Sequence, residues 1–521
     1  MRGAIAAGHP LTAEAGARVL SEGGNAVDAC VAAGLASWVA EGPLTGPGGG
    51  GFMLVHRARD RSTRVFDFFV DVPGRGGDHG ERASMEEVDV GFTPESSQAF
   101  RIGAASCAVP GTAAGLEQAH RSFGSLPWAL LVEPAIELAR DGVEITRPQA
   151  YLHAILDLIL RHTPEGSAVY GPGGRRLVAG DVLVQKDLAG TLRQLTEEGT
   201  FPLYGGALAR RIVEYVQERG GALTLDDLTH YRVVRRRPVR AAFLGHELAS
   251  NPPPSIGGVL IGYGLRLLDR LGPAARPGGA EAMAQLVEIM REQGRARSSG
   301  FTRRLHRGGL ARALYSDSAV AAGIERILAR RASGVEPVAA RGTTHVSVVD
   351  ERGNAASLTA STGSGSGIVV PGTGIHLNNM LGEFDLAGPA ASMRPGMRMT
   401  SMMAPSLVLR DGAPRLVVGS AGSLRLRGAI MQIAINVVAH DLPVREAIDR
   451  PRVHLEEPHV HCEGGFDPEE VDRLESWGYD VVRWRRRNLF FGGAAAVEVG
   501  SDGALAAAGD PRRGGAGVVV G

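Results

Sequence analysis

At Thr343 the texture of this chain changes, and that change limits what it can fold into. Upstream, the residues to about Arg341 read mostly as helices joined by Pro- and Arg-rich connections. From Thr343 onward, short runs rich in Val, Thr and Leu alternate with Gly-containing turns, and helical pattern returns only around Arg427 to His440 and Pro468 to Trp477. Helices before strands, then strands before helices, is an order that suits stacked sheets with helices outside.

The N-terminal part supplies more of the same architecture. Thr12 to Leu20 has helix-forming composition with Thr12 placed to cap, and Gly23-Gly24 stops it before a second helix from Asn25. The run Ala26 to Ala40 is broken by Asp28 and falls short of the ~20 residues that span a bilayer, so it reads as a buried helix. Thr45 to Gly51 is a glycine-rich loop, followed by strands at Phe52 to Val55 and around Val65 to Val70. Thr112 to Gly142 is again helical, with Pro127 in a first-turn position and Gly142 as the stop. The stretch from there to Arg341 carries no legible function.

Composition removes several function classes. The 56 basic and 56 acidic residues cancel, and no basic cluster alternates with aromatics, so neither nucleic acid nor an anionic membrane is the expected partner. A small molecule is. Lys186 is the single lysine, and no Gly-Lys-Ser/Thr follows the loop Gly46 to Gly51, which argues against a P-loop and for tight backbone packing. Cys30, Cys107 and Cys462 have neither zinc-ligand nor disulfide-framework spacing and read as reduced thiols. The short apolar stretch before His9-Pro10 is no signal-peptide core, so a cytoplasmic protein is expected.

The residues that carry chemistry lie at the change of texture. Thr343 to Asp350 alternates as a strand, Glu351-Arg352-Gly353-Asn354 has turn chemistry, and Ala355 to Ser361 returns as the partner strand. With those four residues between a paired Asp350 and Ala355, Thr343 falls opposite Thr362, and a one-residue shift makes it Ser361. Either way a second hydroxyl sits beside the first.

Gly342-Thr343-Thr344-His345, followed in order by Gly365-Ser366-Gly367-Ile368, Leu377-Asn378-Asn379, Met402-Met403-Ala404-Pro405 and Gly419-Ser420-Ala421-Gly422-Ser423, resembles the gamma-glutamyltransferase family. Ala7-Gly8-His9-Pro10, Gly23 to Asp28, the Gly46 to Gly51 loop and Phe491-Gly492-Gly493 extend the likeness over nearly the whole chain. The resemblance implies an α+β fold, the four-layer αββα sandwich of N-terminal nucleophile hydrolases, with a helical accessory part in the larger piece. It implies a precursor cut after Gly342 into residues 1–342 and 343–521, which stay intertwined as one domain, and from which higher assembly is open. It also implies that no metal or organic cofactor is required.

By the same resemblance Thr343 is the nucleophile and its unmasked α-amine the general base. Ser361 stands where a supporting threonine bonds the nucleophile, and Gly422 and Ser423 where backbone N–H groups meet the oxyanion. Glu383 falls at the carboxylate that holds a substrate α-ammonium, and Ser401 at the first of two serines that contact the α-carboxylate. The sequence departs from the pattern at four polar contacts. Phe69 follows Asp67-Phe68 where an arginine clamp is usual, Met402 replaces the second serine, Met380 a glutamine, and Thr362 or Gly363 an asparagine. Restoring arginine at 69 is therefore expected to raise activity toward γ-glutamyl amides, with Arg75 a candidate substitute for the lost charge. The loop from Phe384 to Ser401 is short for a lid. The expected activity is cleavage of γ-glutamyl or similar acyl amides such as glutathione; a glutaryl- or cephalosporin-type acylase, a biosynthetic relative and an inactive binding relative are the alternatives.

Overall fold

The structure, a computed structural model, describes residues 2–77, 83–93, 96–297, 301–329, 343–383, 393–422 and 424–521. In chain order the elements that build the layers are β1 (Gly3–Ala7), α1 (Pro10–Ser21), α2 (Ala26–Ala40), β2 (Gly50–Arg57), β3 (Ser62–Phe68), α3 (Thr112–Phe123) and α4 (Trp128–Asp141). Then come β4 (Val234–Arg236), β5 (Val239–Phe243), β6 (His246–Ser250), α5 (Gly257–Leu271) and α6 (Ala280–Ala296). After Thr343 follow β7 (Thr344–Asp350), β8 (Ala355–Ser361), β9 (Ser406–Arg410), β10 (Ala413–Ala421), α7 (Leu424–Val438), β11 (Gly493–Val499), β12 (Leu505–Gly509) and β13 (Ala516–Val520).

Two antiparallel sheets form the middle. One runs β13-β1-β7-β8-β2-β3-β4 and the other β12-β11-β10-β9-β6-β5. Side chains alternate along each strand and so feed two different cores. On β1, Ala4 and Ala6 face the second sheet while Ile5 and Ala7 face helices; on β2, Phe52 and Leu54 face the second sheet and Met53 and Val55 the helices. A third core, with Val408, Leu416 and Val418 at its sheet side, joins the second sheet to α5, α6 and α7. One apolar core per interface gives the expected four layers, helix, sheet, sheet, helix. Further helices between residues 147 and 230 form the accessory part.

α2 lies wholly inside, every residue buried, which is where a helix apolar all round belongs. Its Asp28 is satisfied by the backbone N–H groups of Asn25 and Ser125 and by the Ser125 hydroxyl. No helix among the described residues is long and apolar enough to cross a membrane. The three cysteines are buried thiols.

Three expectations are corrected. Helix α1 begins at Pro10, capped by His9, whose Nδ1 accepts from the Leu11 N–H at 3.2 Å, so Thr12 is inside the helix and its hydroxyl serves elsewhere. The Arg-rich stretch 234–250, read as connection within a helical region, is three strands; Pro238 marks the passage from the edge of one sheet to the edge of the other. The turn between β7 and β8 has three residues, since the Asp350 N–H donates to the Asn354 carbonyl at 3.0 Å and Gly353 takes φ +76°. The Asp350 carboxylate stabilises that tighter loop by accepting the Arg352 and Asn354 N–H groups.

Candidate active site

The three-residue loop decides the partner of Thr343. Val349 pairs with Ala355 and Thr344 with Ala360, so the next step along the ladder sets Thr343 beside Ser361, the shifted register and not the one through Thr362. Alternation then decides direction. Val346 and Val348 join the helix-side core, whereas His345 and Ser347 face the second sheet: the His345 ring lies against Gly419, and the Ser347 hydroxyl donates to the Ala495 carbonyl at 3.0 Å. Thr343 and Ser361 share the parity of His345 and Thr359, so both hydroxyls belong to the face between the sheets. Ser361 Oγ also accepts the Gly363 N–H at 2.7 Å, closing the end of its strand.

Thr344 points the other way, and what it meets was not foreseen. Its hydroxyl donates at 2.5 Å to Glu41, at the C-terminal cap of α2, and Thr12 donates to the other oxygen of that carboxylate at 2.9 Å. Gly8 leaves room for it, because a β-carbon there would fall 2.4 Å from Glu41 Oε2. Arg513 donates from Nη1 to the Thr343 carbonyl at 3.1 Å and runs along Gly493, the residue paired with Ala421. Thr343, the residue before β7, is thus held from its carbonyl side, while its neighbour Thr344 is pinned to a buried acid. Ala7-Gly8-His9-Pro10 was the one sequence trace of this support; Glu41 and Arg513 themselves left none.

Burial raises the Glu41 pKa above the usual carboxylate range, against the opposing effects of the two hydroxyls and the Arg513 charge. The native state therefore keeps a proton that the unfolded chain has released, and stability falls as pH rises from about 4.5 toward the raised native value. Glu41→Gln is expected to flatten that fall, read as Tm against pH from 4 to 8. An unchanged slope would show that Glu41 does not titrate with folding.

His345 invites assignment as a base but is built as a sheet clamp. Its Nδ1 accepts from Thr359 at 2.7 Å and its Nε2 donates to Ser347 at 2.9 Å, a direction fixed by the onward donation from Ser347 to Ala495. Complete burial pushes its pKa down to about 3, so the ring is neutral at working pH.

The glycine-rich loop brings backbone against the hairpin. A β-carbon at Gly49 would fall 2.5 Å from the Ser361 carbonyl oxygen, and one at Gly51 2.4 Å from that of Thr359. Asn378 ties the loop down by donating to the Gly48 and Ala108 carbonyls, and Asn379 holds the next turn through Ser364. Beside that turn, Glu383 is buried with Oε1 2.8 Å from where a β-carbon of Gly363 would lie, placing its carboxylate two residues from Ser361. Thr362 is buried, and its hydroxyl has no partner among the described residues. Ser401 bridges to Ser255 and its hydroxyl accepts the Met403 N–H at 3.1 Å. The Met402 side chain turns into the core between the second sheet and its helices. Phe69 sits between the sheets with Met380, Met399 and Met403, stacked on Phe52 at 5.5 Å. Arg75 reaches the Gly396 carbonyl at 3.4 Å and leaves position 69 apolar.

Gly422 follows β10 with φ +115°, and its carbonyl accepts the Arg425 N–H as α7 begins. An amide at the mouth of a helix is suited to a developing oxyanion. Ser423 and residues 384–392, the first part of the Phe384 to Ser401 loop read as short for a lid, lie outside the described residues.

The sequence pattern described as Gamma-glutamyltranspeptidase matches residues 12–520. The chain belongs to the gamma-glutamyltranspeptidase family. It is 32% identical to a glutathione hydrolase proenzyme of Escherichia coli, over 98% of this chain and 90% of that one. It is 33% identical to the acylase ACY 1 proenzyme of a Pseudomonas species, over 97% and 91% of the two chains. Among solved structures, the cephalosporin acylase of Bacillus halodurans superposes with a TM-score of 0.86 at 24% identity, covering 99% of this chain and 95% of that one. As a gamma-glutamyltranspeptidase family member the protein is an amidohydrolase of the N-terminal nucleophile kind, and its αββα layers are that fold.

Proposed function

We propose that the chain is a precursor which cuts itself between Gly342 and Thr343, and that the resulting pieces, 1–342 and 343–521, form one acyl-transferring hydrolase. The pairing of the first residue of the second piece with Ser361, on the face between the sheets, carries this reading. Inside the precursor the Thr343 nitrogen is an amide and cannot take a proton. Released, it is an α-amine with an ordinary pKa of ~7.7 to 8.0, within reach of its own hydroxyl.

In the proposed reaction that amine accepts the hydroxyl proton as Oγ attacks an amide carbonyl. The oxyanion meets the Gly422 N–H and the amide that follows it. The proton passes to the departing amine, leaving an acyl ester on Thr343, and water or a second amine then takes the acyl group. Ser361 positions the hydroxyl, and Glu383, beside Gly363, meets an ammonium on the acyl group. Burial lowers an amine pKa, so kcat/KM is expected to rise with pH through one ionisation at or below ~7.7 and then level off. A rate flat from pH 5 to 9 would exclude the Thr343 amine as base.

Glu383 favours γ-glutamyl amides such as glutathione. Phe69, Met380 and Met402 favour a second reading, an acylase whose acyl group carries no α-carboxylate to be clamped. Incubating the processed protein with γ-glutamyl and glutaryl anilides, with intact-mass analysis of the 343–521 piece, separates the two by which acyl adduct appears. No adduct and no turnover with either would leave the scaffold without the proposed chemistry.

A further inference from the structure

Beyond the acyl site, α7 carries a charge that no carboxylate among the described residues balances. Arg427 is 7% exposed, and its Nε and Nη1 have no hydrogen-bond partner among the described residues. Its neighbour on the same helix is placed differently: Arg425 faces Glu456 at 3.4 Å and lies over the Phe490 ring at 4.1 Å. No carboxylate among the described residues pairs with Arg427. Burial pushes its pKa down to about 9, and the like charge of Arg297 adds to that.

A second polar group lies alongside, also unmatched. His454 is buried, and its Nδ1 has no partner among the described residues. It lies against the same turn of α7, where a β-carbon on Gly428, next to Arg427, would fall 3.8 Å from that Nδ1, and the charges of Arg425 and Arg427 both act on the imidazole. Burial and the surrounding cations hold His454 neutral. An isolated buried guanidinium is unfavourable unless an anion joins it, and an unpaired ring nitrogen adds to the cost. A protein that keeps both at one place gains if a ligand completes the set.

We propose that Arg427 and His454 bind the carboxylate of a small organic acid, at a site on the helix that leads out of the Gly422 loop. The guanidinium offers parallel N–H donors to the two oxygens, and the imidazole supplies one further contact. Charge selects a carboxylate over a phosphate. One unbalanced cation matches one monoanion, whereas a dianion would leave excess negative charge near Glu456. The site does not depend on the acyl chemistry proposed for Thr343, and a protein without turnover would still show it.

The test measures Tm of the processed wild-type protein, Arg427→Met and Arg427→Lys in sodium acetate, sodium butyrate, sodium phosphate and sodium chloride at one ionic strength. Ligand that binds only the native state raises Tm with its concentration. Wild type is expected to gain Tm in acetate and butyrate over chloride. Arg427→Met is expected to start at a higher Tm than wild type in chloride, having lost the unpaired charge, and to show no carboxylate response. Arg427→Lys should keep the response with affinity reduced about tenfold, a lysine being a point charge without the fork. Titration calorimetry with butyrate reads the same affinities directly. An Arg427→Met protein that responds to acetate as wild type does, or a wild type that responds to phosphate and not to carboxylates, overturns the proposal, as does a wild type indifferent to all of them.

Discussion

A Thr343→Ala protein is expected to remain one polypeptide of 54.6 kDa on a denaturing gel and to lose amide hydrolysis by about 10⁴-fold or more. Both losses have one cause. The hydroxyl that would attack substrate is also the group that would attack the preceding carbonyl and break the backbone, so removing it stops maturation and turnover together. Thr343→Ser keeps the hydroxyl and is expected to split, with reduced rate from a less constrained side chain. Thr344→Ala is the informative control. Its hydroxyl is bound to Glu41 on the helix side of the sheet, so this variant should still split and should lose stability by about 1 to 3 kcal/mol, from a buried carboxylate left one donor short. Scission after Gly342 in Thr343→Ala, shown by intact mass, would remove Thr343 from the maturation step.

What the sequence made legible, and what it hid, follows from the range of the interactions concerned. The hairpin was visible because alternation and turn residues are local, yet its register was ambiguous by one residue. Asp350 resolves it: its carboxylate accepts two N–H groups of the loop and makes three residues sufficient where four were counted. Alternation along β7 then separates two adjacent threonines into different roles, a distinction that composition cannot make. The strands in 234–250 were hidden because arginine on an edge strand looks like a solvated connection, and burial against a second sheet is a property of the partner. Glu41 and Arg513 were hidden for the same reason. Both act on residues about 300 and 170 positions away in the chain, and neither type of side chain announces a buried role. The glycine-rich loop was legible as close packing, since only a contact distance was at issue, and Gly49 and Gly51 are set against carbonyls where no β-carbon fits.

The missing clamp at position 69 shows where a local comparison reaches its limit, and it carries the second large effect. From sequence, arginine in place of Phe69 restores a family feature and should increase γ-glutamyl hydrolysis. The structure reverses that expectation. Phe69 is fully buried between the sheets, stacked on Phe52 and packed with Met380, Met399 and Met403. The carboxylates nearest in sequence are engaged, Asp67 by Arg236 and Arg398, and Asp71 by Arg398. A guanidinium introduced there would be buried among apolar side chains with those two carboxylates already engaged, so Phe69→Arg is expected to lose about 3 to 5 kcal/mol of stability, read from the urea midpoint, and to gain no γ-glutamyl anilide hydrolysis. Adding Met380→Gln gives the new charge one hydrogen-bonding neighbour and should recover part of that loss. Position 69 shares its packing with three methionines and Phe52, so a single substitution there leaves the apolar character of the set in place. A Phe69→Arg protein as stable as wild type and faster on the glutamyl anilide would show that the methionines and Phe52 do not exclude the charged end of glutamate.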